Sequence, residues 1–393
     1  MDLSPSPLPV SEILTRALAG ERLTAGEAHT LLLDGDLLDL GLAADEIRNR
    51  LNDPKVATYN VDRNVNYTNV CVYRCRFCAF YRKPGDPEGY LLPFEEIGRK
   101  IEETIALNGT GILMQGGVHP ELGIEYYEEL IRFVRESYPS IHLHAFSPPE
   151  IKFIAKKERL SFAEVIGRLK EAGLQSIPGG GAELLSDEVR KEVLAYPKAS
   201  AEEWIDINRQ AHLHGLRTSA TMMYGMGEGL APRVEHLQWI RDLQDETGGF
   251  TAFISWTFQH EHTDMPDVPE VFAHEYLKTV AVSRLFLDNV QHLQTSWVTQ
   301  GKKIGQLALE FGADDMGSIM IEENVVSAAG TRYKMSQEEM ERLITQAGYT
   351  PRQRTNLYER FVDSRDTAEL ARRYRHALTA ENRALASPLP ILG

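Results

Sequence analysis

Cysteine is scarce in this chain of 393 residues: there are three, at positions 71, 75 and 78. Thiols confined to so short a stretch make no disulfide framework of the kind that holds small secreted domains together. Long apolar runs are missing as well, and no stretch approaches the ~18 residues that a membrane-spanning helix needs. The segment 1–20 has no basic start followed by a long apolar run and a small-residue cleavage site, so no secretory leader is read there. Positive charge is in deficit, with 42 Lys and Arg against 57 Asp and Glu, a formal charge of −15 and a pI near 5.3. That balance disfavours a polyphosphate surface. The expectation is a cytoplasmic protein with neither nucleic acid nor membrane as partner. Hydrophobic residues make up 42% of a 44.3 kDa chain, enough to build a core and too many for a disordered or fibrous protein.

Apolar spacing suggests helices between about residues 10 and 52, so residues 1–54 read as a small helical N-terminal extension. From residue 57 onward, β-rich runs alternate with amphipathic stretches, each run followed by a Gly-, Pro- or polar-rich turn. The expected strands are 61–68, 111–115, 141–147, 174–179, 217–225, 250–258, 290–298 and 316–321. In the first intervening stretch Ile97, Ile101 and Ile105 recur every four residues and line one helix face. Eight strands, each followed by a helix, describe a (βα)8 TIM-type barrel over residues 55–350. A partial six-stranded barrel with a separate C-terminal segment is the other reading. Residues 351–393 are Arg-rich and then Ala- and Pro-rich, as for a terminal helix and tail.

In such a barrel the chemistry lies at the C-terminal ends of the strands. Cys71, Cys75 and Cys78 form a C-x3-C-x2-C loop directly after the first strand. Three thiolates there could hold zinc with a distant histidine, or a [4Fe-4S] cluster with one iron left without a protein ligand. Spacing alone does not choose between them. Simple electron transfer would ask for a fourth cysteine, and an open iron is expected to bind a small molecule. Strand parity adds candidates: His142 and His144 share the interior face of their strand, with His144 nearer the reacting end. An H-x-H pair is also a hydrolase metal signature, and a satisfied interior histidine is the plainer alternative. Ser255, Thr257 and Gln259 share a face, as do Ser318, Met320 and Glu322. The pair Glu322-Glu323 is the best carboxylate cluster at the mouth, with one of the two expected to point to solvent. His212, His214, His260 and His262 read as surface, and Met222, Met223 and Met226 as core filling.

The Cys loop resembles the hallmark of the radical S-adenosylmethionine (SAM) enzymes, C-x3-C-x-aromatic-C, with Phe77 in the aromatic slot. The resemblance implies a [4Fe-4S] cluster on Cys71, Cys75 and Cys78, with SAM chelated to the unique iron and cleaved to methionine and a 5′-deoxyadenosyl radical. It implies that Gln115, Gly116 and Gly117 receive the SAM ammonium, and that Gly180 and Glu183 of the Pro-Gly-Gly-Gly-Ala-Glu turn meet ribose hydroxyls. Gly225 and Glu228 would form the turn under the adenine. A plain βα turn is the alternative for Gln115–Gly117. The strings RNVNYTNVC, CRFCAFYR, ILMQGG, SIPGGGAE, FISWTFQ, TSWVT and MIEENVVSAAGT extend the resemblance over roughly residues 55–360, to the radical SAM enzymes that make menaquinone and deazaflavin precursors. TSWVT and IEENVV favour the cyclising member, which takes the ribose C4′ hydrogen of dehypoxanthine futalosine and joins that carbon to the benzoate ring. Aminofutalosine formation and deazaflavin (F0) formation are the sister activities. Glu322, Glu183 and His144 are then the candidates for the base or for ribose contacts. A flavodoxin- or ferredoxin-type electron donor and a monomer or homodimer complete the expectation. From outside the family, a zinc-stabilised binding barrel and a metal hydrolase built on His142 and His144 stand as alternatives.

Overall fold

A computed structural model describes residues 2–193, 198–331 and 334–385. The end of the expected tail, 386–393, lies outside them. Ten strands form one sheet: β1 (Val56–Asn60), β2 (Asp62–Val65), β3 (Gly111–Met114), β4 (His142–Ala145), β5 (Ser176–Ile177), β6 (Arg217–Tyr224), β7 (Phe250–Thr257), β8 (His292–Gln294), β9 (Asp315–Ser318) and β10 (Thr350–Gln353). The order is β10-β1-β9-β8-β7-β6-β5-β4-β3-β2, and the pairs are parallel. Parallel neighbours require crossovers, and helices supply them.

β1 and β2 are one run of chain interrupted at Val61, and this run closes the sheet. Its lower half pairs with β9, Asn60 opposite Ser318, and its upper half pairs with β3, Asp62 opposite Gly111. Beyond β9 the ladder continues as Ile319 N–H donates to the Asn60 carbonyl (3.1 Å) and Asn64 N–H to the Glu322 carbonyl (3.3 Å). Eight strands therefore curl into the expected barrel, and the six-stranded reading falls. β10 takes the place beside β1 that β3, starting only at Gly111, leaves open. Sequence patterning offered no strand there, because Thr-Pro-Arg-Gln has neither an apolar face nor a full set of backbone donors. Helix Ser364–Tyr374 follows.

The helix Phe94–Ala106 buries Ile97, Ile101 and Ile105 as its spacing suggested. At the N-terminus, helices Val10–Leu18, Ala25–Asp34 and Leu37–Leu51 start on defined caps at Thr24 and Asp36 for the second and third. Ile13, Leu31, Leu40 and Ala44 are fully buried in one core with Tyr276 and Phe286 of helix Ala273–Phe286. Each such Leu or Ile contributes about 1.5–3 kcal/mol of burial, so this region is bound into the barrel's outer layer. Among the described residues no helix is long and apolar enough to cross a membrane.

Candidate active site

A cavity of about 460 Å³ runs through the barrel from the Cys loop to the segment after β10. At its mouth the loop that follows β2 is tied down by backbone and side-chain bonds. Cys71 N–H donates to the Arg82 carbonyl (2.9 Å) and Val72 N–H to the Val118 carbonyl (2.9 Å). Asn69 spans the loop, donating to the Glu88 carbonyl (3.0 Å) and accepting from Tyr90 N–H (2.9 Å). Cys71, Cys75, Cys78 and Phe77 line the cavity. Burial pushes the Cys71 thiol up to about 11 and raises Cys78 as well. Left alone these thiols stay protonated; a cationic group among them is what would make them thiolates. Among the described residues no three His, Cys, Asp or Glu side chains converge on the position of a single metal ion. Cys71 and Cys75 are buried, Cys78 is half-buried, and the three thiols on one cavity wall are a soft donor set of the kind that holds an iron–sulfur cluster.

The glycine turns pack tightly against protein. A Cβ on Gly116 would stand 2.5 Å from the Tyr67 ring, and one on Gly117 would stand 2.3 Å from the Val70 carbonyl. These residues let the end of β3 touch the Cys loop directly. Gly116 N–H also donates to Glu150 Oε1 (3.2 Å), a buried carboxylate that further accepts from the Tyr67 hydroxyl (2.6 Å). Burial outweighs these bonds and lifts Glu150 to about 7. Gln115, Gly116, Gly117 and Gly180 all line the cavity. A Cβ on Gly180 would strike the Gln115 amide at 2.1 Å.

Glu183 is buried at the cavity wall with a left-handed backbone, φ 40°. Lys198 Nζ donates to its Oε1 (2.8 Å), Arg190 lies 3.6 Å from Oε2, and Oε2 itself has no hydrogen bond. Lys198 also sits over the Phe77 ring at 5.1 Å, and the nearby Cys75 sulfur and Glu183 hold its pKa above the usual lysine range despite burial. Gly225 and Glu228 do not line the cavity. Glu228 turns back to accept from Gly225 N–H (2.8 Å), Met226 N–H (2.7 Å) and Arg233 (2.9 Å), which fixes the turn itself.

Parity places His144 on the cavity wall. It shares the Ser176 hydroxyl with His142 at 2.7 Å each, and burial depresses His144 to about 3 and His142 to about 4. Both are neutral at pH 7. Glu322 is held outside the cavity by Lys100 (2.7 and 2.8 Å) and Asn324 (2.8 Å), whereas Glu323 lines it while capping Val325 and Val326. On β7 the cavity wall carries Ile254 and Trp256, Thr257 and the following Gln259 line it as well, and Ser255 turns away. The sequence rule that apolar faces meet helices misleads there, because this interior is a binding wall. His212 is not a surface residue: it bonds Thr247 (2.7 Å) and Thr218 (2.8 Å). Three residues that no motif marked, Asp62, Asn356 and Tyr358, line the lower cavity.

A closed parallel barrel with three cysteines at its mouth defines a radical SAM enzyme, and comparison agrees. The description "Radical SAM superfamily" matches residues 65–240, and "CofH/MqnC C-terminal region" matches residues 247–367. The chain is 48% identical over 362 residues to the cyclic dehypoxanthine futalosine synthase of Halalkalibacterium halodurans, covering 92% of this chain and 98% of that protein. It is 46% identical over 359 residues to the protein of the same name from Streptomyces coelicolor, covering 91% and 90%. Relatives named for other activities stand at 38–40% identity. In fold the chain is similar to the FeFe-hydrogenase maturase HydG from Carboxydothermus hydrogenoformans, with a TM-score of 0.72 and 17% identity over 96% of this chain and 86% of that one. The chain belongs to the radical SAM superfamily, and within it to the family that contains the cyclic dehypoxanthine futalosine synthases. Members of the superfamily use a [4Fe-4S] cluster and SAM.

Proposed function

We propose that this protein cyclises dehypoxanthine futalosine in menaquinone biosynthesis, consuming SAM and releasing methionine and 5′-deoxyadenosine. The observation that carries the reading is 48% identity, over nearly the whole of both chains, to a protein of that name. Cys71, Cys75 and Cys78 would hold the [4Fe-4S] cluster, which with SAM supplies the 5′-deoxyadenosyl radical that takes a hydrogen atom from substrate. The rest of the work belongs to the chain. Backbone at Gln115–Gly117 and Gly180 bounds the space beside the Cys loop on two sides. Glu183, held by Lys198 and keeping Oε2 free of hydrogen bonds, is a ready acceptor for a hydroxyl. Ile254, Trp256, Phe258 and Met320 give the cavity an apolar wall for an aromatic ring. Neutral His144 offers a ring nitrogen that can exchange a hydrogen bond without bringing charge. Enclosure by the Cys loop keeps water from a reactive carbon radical.

Three thiols with no disulfide partner suit a reducing compartment, the cytoplasm, and the electron comes from a flavodoxin- or ferredoxin-type donor. The test is anaerobic turnover of reconstituted protein with dithionite, SAM and dehypoxanthine futalosine, read by mass spectrometry. A product two hydrogens lighter than substrate, formed in equal amount with 5′-deoxyadenosine, is expected. Release of 5′-deoxyadenosine with substrate unchanged would leave the radical chemistry and reject the substrate.

A further inference from the structure

Below His144 the cavity ends on a floor built by Asn60 and Asp62 of the first strand, Gln294 of β8, and Arg354, Asn356 and Tyr358 of the segment after β10. Buried polar atoms on this floor are left without a well-formed hydrogen bond: Asn356 Oδ1, the Tyr358 hydroxyl and Asp62 Oδ1, whose carboxylate has only the Ser318 hydroxyl besides Asn60 near it. Leaving such groups unpaired costs about 1–3 kcal/mol each, so their place on a cavity wall marks them for a ligand. They belong together. Asp62 is paired in register with Gly111, and the Asn356 amide sits against Gly111 so closely that a Cβ there would lie 2.1 Å from it. Tyr358 is fixed by stacking, its ring 4.1 Å from that of His292 at 11° and 3.7 Å beneath the Arg354 guanidinium.

The charges decide what the floor can take. Arg354 is the cation there among the described lining residues, and it is already neutralised by Asp315, whose Oδ1 accepts at 3.0 Å, with Gln294 at 3.5 Å. An incoming carboxylate would find no available cation and would face Asp62, whose other oxygen accepts from Asn60 (2.9 Å). A group rich in hydroxyls would find two acceptor oxygens and a phenol.

We propose that Asp62, Asn356 and Tyr358 form a subsite for the sugar hydroxyls of the substrate. This rests on the substrate proposed above. Asp62 and Tyr358 are substrate-binding residues in this assignment.

The experiment is isothermal titration of dehypoxanthine futalosine into anaerobic, cluster-reconstituted enzyme with SAM and no reductant, so that binding is read without turnover. Asp62→Asn should weaken binding ~10- to 100-fold and Tyr358→Phe ~3- to 10-fold, the span for a charged and a neutral hydrogen bond, with SAM affinity unchanged in both. Tyr358→Phe keeps both stacking contacts and guards against Asp62→Asn failing for structural reasons. Wild-type affinity in both variants would overturn the subsite while leaving the substrate in place. A wild-type enzyme that binds SAM but not dehypoxanthine futalosine would overturn the substrate and this subsite with it.

Discussion

At the scale of single residues, burial sets protonation. His142 and His212 are lowered to about 4, and His144 and His236 to about 3, each mainly by desolvation. All four lie below the unfolded value of about 6.5. Between pH 6.5 and 4 the unfolded chain therefore binds more protons than the folded one, and stability falls as pH falls, by up to ~1.4 kcal/mol per unit for each histidine. His144→Gln should remove one histidine's share of that slope. Guanidinium unfolding at pH 7, 6 and 5 should show wild type and variant drawing together by up to ~1.4 kcal/mol per unit; a constant gap would mean that His144 does not titrate this way. The Glu183–Lys198 pair makes the opposite demand, since both partners are buried. Lys198→Met leaves the carboxylate with Arg190 at 3.6 Å and should cost ~3–5 kcal/mol. Which carboxylate meets the cavity was not legible at this scale. Glu322 and Glu323 look alike in sequence, and Lys100, Asn324 and Arg63 draw the first away.

At the scale of elements, the end of β3 and the Cys loop form a unit whose spacing depends on two glycines. Gly117→Ala would drive a methyl to 2.3 Å from the Val70 carbonyl, one residue before Cys71, and backbone there cannot swing aside as a side chain would. The expected outcome is a loop displaced at the metal ligands, read as lower iron and sulfide content after reconstitution and a weaker brown absorbance, while Gly229→Ala, which meets nothing within 4 Å on an extended backbone of φ −79°, serves as a control for added bulk. Equal cluster content in Gly117→Ala would reject the packing account. The elements were largely legible. Helix Phe94–Ala106 and strands β6 and β7 have enough residues for their periodicity to speak. β5, with two residues, and β10, with Pro351 at its second position, carry too little pattern.

At the scale of the whole molecule, the barrel floor is a long-range construction. Arg354 reaches from the segment after β10 into the barrel to pair with Asp315 of β9, both almost fully buried. Breaking that pair strands a charge in the interior, so Arg354→Met should destabilise the fold by ~3–5 kcal/mol, read as a lower urea midpoint. Its loss should exceed that of Tyr358→Phe, which removes one hydroxyl; equal stability would mean that the floor is not held by the ion pair.

The sequence by itself determined the alternation of strands and helices, the three thiols at the end of the first strand and the glycine turns beside them. Those features are local: they follow from periodicity, turn chemistry and ligand spacing within a few residues. Only the tertiary structure decided which of Glu322 and Glu323 faces inward, that β7 offers Ile254 and Trp256 to the cavity, and that residues 354–358 close its base. Those features depend on the register with which Asn60 meets Ser318 and Asp62 meets Gly111. A shift of one residue turns every side chain to the other face, and that register is fixed by contacts between segments tens to hundreds of residues apart.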